Sequence, residues 1–132
     1  MTELNTEIYT GTILMVEDAE EVRQMVKMLM GAYGIQTLEA ESGPQALEIW
    51  TKSHSSIDLL FVDLVLPGGV TGPQLAAKMT AENPKLHVIY TTGYHPASVS
   101  ENLTLLEGVN FLQKPYDSKV LAQMIQQRLG IE

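Results

Sequence analysis

Five short apolar runs, each followed by a stretch of helical period, constrain this chain more than any other feature. The runs are TILMVE (12–17), IQTLEA (35–40), IDLLFVD (57–63), LHVIYTT (86–92) and VNFLQK (109–114). Short apolar runs rich in branched residues and bounded by turn signals read as buried strands. Strands that alternate with helices over short connections imply a parallel sheet covered on both faces, with right-handed crossovers. The expected class is therefore α/β, a doubly wound sheet.

The intervening stretches carry their own start and stop signals. In AEEVRQMVKMLMGAYG, residues Val22, Met25, Val26, Leu29, Met30 and Tyr33 recur at helical spacing as an inward stripe. Asp18 is expected to cap this helix, Glu20 and Glu21 suit its positive end, and Gly34 stops it. The methionines read as core filler rather than metal ligands. Ser42, Gly43 and Pro44 open a second helix, with Ala46, Leu47, Ile49 and Trp50 inward. Thr71, Gly72 and Pro73 open a third, carrying Leu75, Ala76 and Met79 and ending at Asn83-Pro84. A last helix sets Leu121, Met124, Ile125 and Leu129 on one face. Between the fourth and fifth runs, GYHPASVSENLTLLEG should hold one more helix. Pro96, Ser98, Ser100, Asn102 and Thr104 give it poor propensity, so a short or mobile helix is expected. His54 and His95 read as surface residues, and His87 as strand packing.

A length of 132 residues suits one domain with a real core, here a short lead-in over 1–11 and a single domain over 12–132. Acids outnumber bases sixteen to eight, for a net charge of −8. Nucleic acid is thereby disfavoured as a partner, because phosphate-backbone binding needs a basic face. The absence of cysteine excludes disulfides, thiol catalysis and cysteine-type zinc sites. The polar, acidic N-terminus has no secretory pattern, and no apolar stretch approaches the roughly 20 residues of a membrane span. A cytoplasmic location, away from the membrane, is expected.

In an open doubly wound sheet the ligand crevice lies beyond the carboxyl ends of the strands. The first run ends in Glu17-Asp18, the third in Asp63, the fourth in Thr91-Thr92 and the fifth in Lys114-Pro115. Each has a bland explanation alone. Acids cap helices, an Asp starts turns, lysines sit on surfaces, and threonines suit strands. Jointly these explanations weaken, since unrelated surface residues need not gather at one edge. Clustered carboxylates repel unless a cation joins them, and hard oxygen ligands favour Mg²⁺, which combines readily with phosphate oxygens. A lysine and a hydroxyl would then face phosphoryl oxygens, with Asp63 on the central strand as nucleophile.

This set, with FVDLVLPGG, YTTGY and FLQKP in order, resembles the receiver domain of two-component response regulators, with a style closest to receivers of hybrid sensor histidine kinases. The resemblance covers the chain from about residue 12. It implies a flavodoxin-like (βα)5 fold with strand order 2-1-3-4-5. It further implies Asp63 as phosphoacceptor and Mg²⁺ held by Asp18 and Asp63, by Glu17 through water and by the backbone carbonyl of Val65. Lys114 would contact the phosphoryl group, with a cis bond to Pro115. Thr92 resembles the switch hydroxyl because it precedes a small residue, Gly93, and Phe111 the switch aromatic. The implied donor is a sensor histidine kinase or a histidine phosphotransfer protein. The implied output is a change in the face made by the fourth helix, fifth strand and fifth helix, including homodimerisation through that face. Thr92 would move toward the phosphoryl group and Phe111 would turn inward. Tyr94, two residues after Thr92, is expected to shield the acyl phosphate and slow its hydrolysis. The glycine-rich PGG step would let backbone approach phosphate.

Other readings fit less well. A magnesium-dependent phosphatase with an Asp nucleophile needs a second acid where Val65 stands. Flavodoxin-like cofactor binding wants a phosphate loop where Glu17-Asp18 would repel one. A receiver-like interaction module that signals without phosphorylation has no need of the intact acid, lysine and threonine set. The chain would thus act on itself, with no separate substrate.

Overall fold

The computed structural model describes residues 11–93 and 109–130. The elements run β1 (Thr12–Val16), α1 (Glu20–Ala32), β2 (Gln36–Ala40), α2 (Gly43–Ser53), β3 (Leu59–Asp63), α3 (Gly72–Glu82), β4 (His87–Thr92), β5 (Phe111–Gln113) and α4 (Ser118–Leu129). The five strands are parallel in the order β2-β1-β3-β4-β5, the doubly wound order expected. The weak helical segment, with Tyr94 and His95, lies outside the described residues, as does most of the lead-in.

Period-two alternation divides the core. Leu14, Val16, Leu60 and Val62 face α2 and α3, where they meet Trp50, Leu75 and Met79. Ile13, Met15, Leu59 and Phe61 face the other way, onto Val26, Met30, Leu121 and Ile125 of α1 and α4. Burial on both faces explains why these strands read as continuous apolar runs rather than alternating ones. Each such side chain removed from water contributes about 1.5–3 kcal/mol. β2, at the edge, is buried fully only at Ala40.

Local signals place the helices. Ser42 caps α2 by accepting from Gln45 N, and Thr71 caps α3 in a reciprocal box with Gln74. Gly34, at φ 75°, follows the end of α1, and Asn83 closes α3.

Three expectations fail. Asp18 does not cap α1; Ala19 is the cap residue, and the turn is tied instead by Glu17 Oε2, which accepts from Ala19 N at 3.0 Å. Met25 and Tyr33 are exposed, because a narrow stripe centred on Val26 and Met30 suffices to cover that face of the sheet. His87, the first residue of β4, is exposed too, although Leu86 before it and its register partner Leu59 are buried.

Candidate functional site

Strand alternation builds the site. The rows Ile13-Met15-Glu17, Leu59-Phe61-Asp63 and Leu112-Lys114 continue beyond the apolar core to the carboxyl edge, so their last members meet. Lys114 Nζ donates to Asp63 Oδ2 at 2.7 Å and stands 2.7 Å from Glu17 Oε1. The buried Glu17 Oε1 thus has the ammonium as its ion-pair partner and no further hydrogen bond. Asp63 Oδ1 accepts from Val65 N at 3.1 Å, which fixes the carboxylate at both oxygens.

The electrostatics follow from burial. Glu17 is 1% exposed, and desolvation raises its pKa above the usual carboxylate value even against Lys114. Burial pulls the Lys114 ammonium down, but Asp63 and Glu17 together outweigh it and hold the pKa above its ordinary value. The Tyr116 hydroxyl is pushed well up, by burial first and then by the charges of Glu17 and Asp63. That hydroxyl lacks a hydrogen-bond partner, and its ring packs edge-on against Phe61.

Asp18 is exposed, and its carboxylate joins Glu17 and Asp63 in a group whose ligand oxygens all lie within 4.8 Å of one another. Two of these acids are buried and one opens to water. A buried oxygen without a hydrogen bond beside two further carboxylates is a donor set that suits a hard cation such as Mg²⁺. An open cleft of about 510 Å³ adjoins them, bordered by Asp18, Asp63, Val65, Pro67, Gly93 and Lys114.

The remaining expected residues fall around this cleft or behind it. Thr92 is fully buried at the end of β4, and its carbonyl accepts from Lys114 N at 2.8 Å. Thr91 is the register partner of Asp63, with a buried hydroxyl that makes no hydrogen bond. Phe111 is already inside, packed in the cluster with Tyr90 and Leu86, so the inward position needs no turn to reach. The Lys114-Pro115 bond is cis.

Of the glycines after Asp63, Gly68 and Gly72 serve packing, while Gly69 serves the turn alone. Gly68 and Gly69 have φ of 95° and 84°, and a side chain on Gly68 would meet the Pro44 ring. Gly72 presses against the carbonyl of Asp63 with no room for a Cβ. Two residues near the site carried no signal in isolation. Arg23 lies five residues beyond Asp18 and donates to the Glu17 carbonyl, and Tyr116 lies two beyond Lys114. Neither belongs to a periodic apolar stripe or to a strand end.

The model of the response regulator receiver domain matches residues 13–126. The chain belongs to that family. Its relatives include the sensor kinase CckA of Brucella abortus, 31% identical over 91% of this chain and 13% of that protein. The sporulation initiation phosphotransferase F of Bacillus subtilis is 27% identical, over 91% of this receiver and 94% of that protein. Among solved structures, the receiver domain from the hybrid histidine kinase CckA shares 37% identity at a TM-score of 0.74, covering 90% of this chain and 99% of that one. A receiver domain from Clostridium thermocellum, 23% identical at a TM-score of 0.75 over 91% of this chain and 94% of that one, shares the fold. The receiver thus spans only a small part of CckA but nearly all of the sporulation phosphotransferase. Among the described residues no helix is long and apolar enough to cross a membrane.

Proposed function

We propose that this receiver accepts a phosphoryl group on Asp63 from a phosphohistidine of a sensor histidine kinase or a histidine phosphotransfer protein. The observation that carries this reading is the pairing of Asp63 Oδ2 with Lys114 Nζ at 2.7 Å beside the carboxylates of Glu17 and Asp18. An Asp63 oxygen attacks phosphorus, the P–N bond to the donor imidazole breaks, and its electron pair stays on the imidazole nitrogen. The product is an acyl phosphate on Asp63. Lys114 turns from carboxylate to phosphoryl oxygen and offsets the charge that gathers there. Val65 N, held against Asp63 Oδ1, keeps the attacking group oriented. Thr92 supplies the hydroxyl that follows the phosphoryl group.

Asp18 and Asp63 would hold Mg²⁺ directly, Glu17 through water, and Val65 through its carbonyl. Bound there, the ion neutralises the carboxylates and the incoming phosphoryl oxygens. The domain is read as one unit over 12–132, acting in the cytoplasm and modifying only itself. Its output is a change in the face of β5 and α4 with the segment before them, including self-association through that face. Tyr94 is assigned to shielding the acyl phosphate.

The test is incubation with acetyl phosphate and Mg²⁺, read by intact mass. Wild type should gain one phosphoryl group and Asp63→Ala none. No gain in wild type, or an equal gain in both, would sink the reading.

A further inference from the structure

Arg23 sits on α1 behind the acid cluster, with its side chain only 15% exposed. Its Nη1 donates to the backbone carbonyl of Glu17 at 2.8 Å, and its Nε stands 3.5 Å from Glu39 Oε1 on β2. That carbonyl belongs to the peptide joining Glu17 to Asp18. The amide of Glu17, on the other side of the same residue, is held by Ala40 O at 3.0 Å. The turn carrying both acids is therefore gripped from β2 directly and through a guanidinium.

Arg23 and Glu39 alone would be a surface-type ion pair of little worth. The bond to Glu17 O changes its meaning. Asp18 is exposed and forms no cap, so the orientation of the peptide before it decides whether its carboxylate stays with Glu17 and Asp63. A planar guanidinium can meet a carbonyl and a carboxylate at once, whereas an ammonium presents a single point charge. Lys27 provides the internal comparison. Its Nζ meets Glu39 Oε2 at 3.1 Å, while the Glu17 carbonyl takes its side-chain hydrogen bond from Arg23.

We propose that Arg23 is a positioning residue for the cation site: it locks the Glu17–Asp18 peptide so that Asp18 meets Glu17 and Asp63 in one ligand set. The assignment rests on the Mg²⁺ reading above. Groups that orient metal ligands from behind are worth roughly 10- to 100-fold in metal affinity when removed.

The experiment is a Mg²⁺ titration of the full chain followed by the amide resonances of Asp18, Asp63 and Leu64, with melting temperature measured alongside. Wild type is read first. If its resonances do not respond to Mg²⁺, the cation reading falls, and this assignment with it. Where wild type responds, Arg23→Ala should raise the half-saturating Mg²⁺ at least tenfold, and Lys27→Ala should stay within twofold of wild type. Arg23→Lys keeps the charge and guards against a truncation that does not fold. It should lose at least threefold, because one ammonium nitrogen cannot stand where both Nη1 and Nε of the guanidinium stand. Unchanged affinity in Arg23→Ala or Arg23→Lys, or equal weakening in Lys27→Ala, would overturn the assignment.

Discussion

Glu17 and Glu82 have nearly the same partners and opposite electrostatics. Glu17 has a backbone N–H from Ala19 at 3.0 Å and the Lys114 ammonium at 2.7 Å. Glu82 has the Trp50 indole N–H at 2.7 Å and the Lys78 ammonium at 3.0 Å. Yet the pKa of Glu17 is raised, by desolvation, while that of Glu82 is lowered, by its bonds to Trp50 and Lys78. The difference is first water and then the like charge of Asp63 beside Glu17. Glu17 is buried at the sheet's carboxyl edge, while the Glu82 side chain is 48% exposed on α3. An N–H and an ammonium stabilise a carboxylate that water still reaches, but they do not replace a full hydration shell. At the carboxyl edge the fold thus carries the Glu17 carboxylate at a loss, while the Lys114 ammonium beside it is held in its charged form.

The sharpest way to break this comparison is to remove the cation that the buried acids share. Lys114→Met should lower stability by about 3 kcal/mol, because it leaves the buried Glu17 and Asp63 carboxylates without their ammonium. Urea unfolding reads the loss. A fixed excess of Mg²⁺ should narrow it, since acids that have lost their ammonium bind the cation more tightly and so gain more folded-state stability from the same concentration. A variant as stable as wild type without Mg²⁺ would mean that Lys114 does not compensate the buried Glu17 and Asp63 carboxylates.

Glu17→Gln should act in the other direction. An acid whose folded pKa is raised binds more protons in the folded state, so its contribution to stability falls as pH rises from its usual value of 4.5 through the higher folded value. The neutral isostere escapes that fall. At neutral pH it should be more stable than wild type by roughly 1 kcal/mol, the scale of ordinary stabilising substitutions. The two proteins should converge below pH 4.5, where both side chains are neutral. The same variant should bind Mg²⁺ more weakly. Unfolding at pH 4 and pH 7 checks the sign, and a Glu17→Gln variant less stable than wild type at both values would refute it.

What could be read before folding follows from which forces are local. Strand positions were legible because burial on both faces leaves continuous apolar runs, their order only through the family resemblance, and the caps at Ser42 and Thr71 because capping chemistry is a property of four adjacent residues. The meeting of Glu17, Asp63 and Lys114 was legible because all three end apolar runs that the fold must align. Asp18 was misread as a cap because Glu17, with one more methylene, reaches the Ala19 amide instead. His87 and Met25 were misread because the sequence marks which residues have the right period, not how far neighbouring layers extend over them. Arg23 and Tyr116 were passed over for a related reason. Their roles lie in a carbonyl and a ring supplied by other elements, and no spacing in one stretch announces them.

The smallest effect is expected at Glu82, and its value lies in its sign. A depressed folded pKa means that this carboxylate adds stability above its usual value of 4.5 and loses it as pH falls through the lower folded value. Glu82→Gln keeps an oxygen for the Trp50 indole but gives up the charge that strengthens that bond and pairs with Lys78. It should therefore melt slightly below wild type at pH 7, and the gap should close in acid. Glu17→Gln should show the reverse order at pH 7 and the same convergence in acid. Thermal unfolding followed by Trp50 emission measures both pairs in one buffer series. If the two substitutions shift the melting temperature in the same direction at pH 7, burial is not what separates these glutamates. Opposite shifts would tie the loss at the carboxyl edge first to the water that Glu17 has given up and then to the like charge of Asp63, which has no counterpart among the groups that shift Glu82.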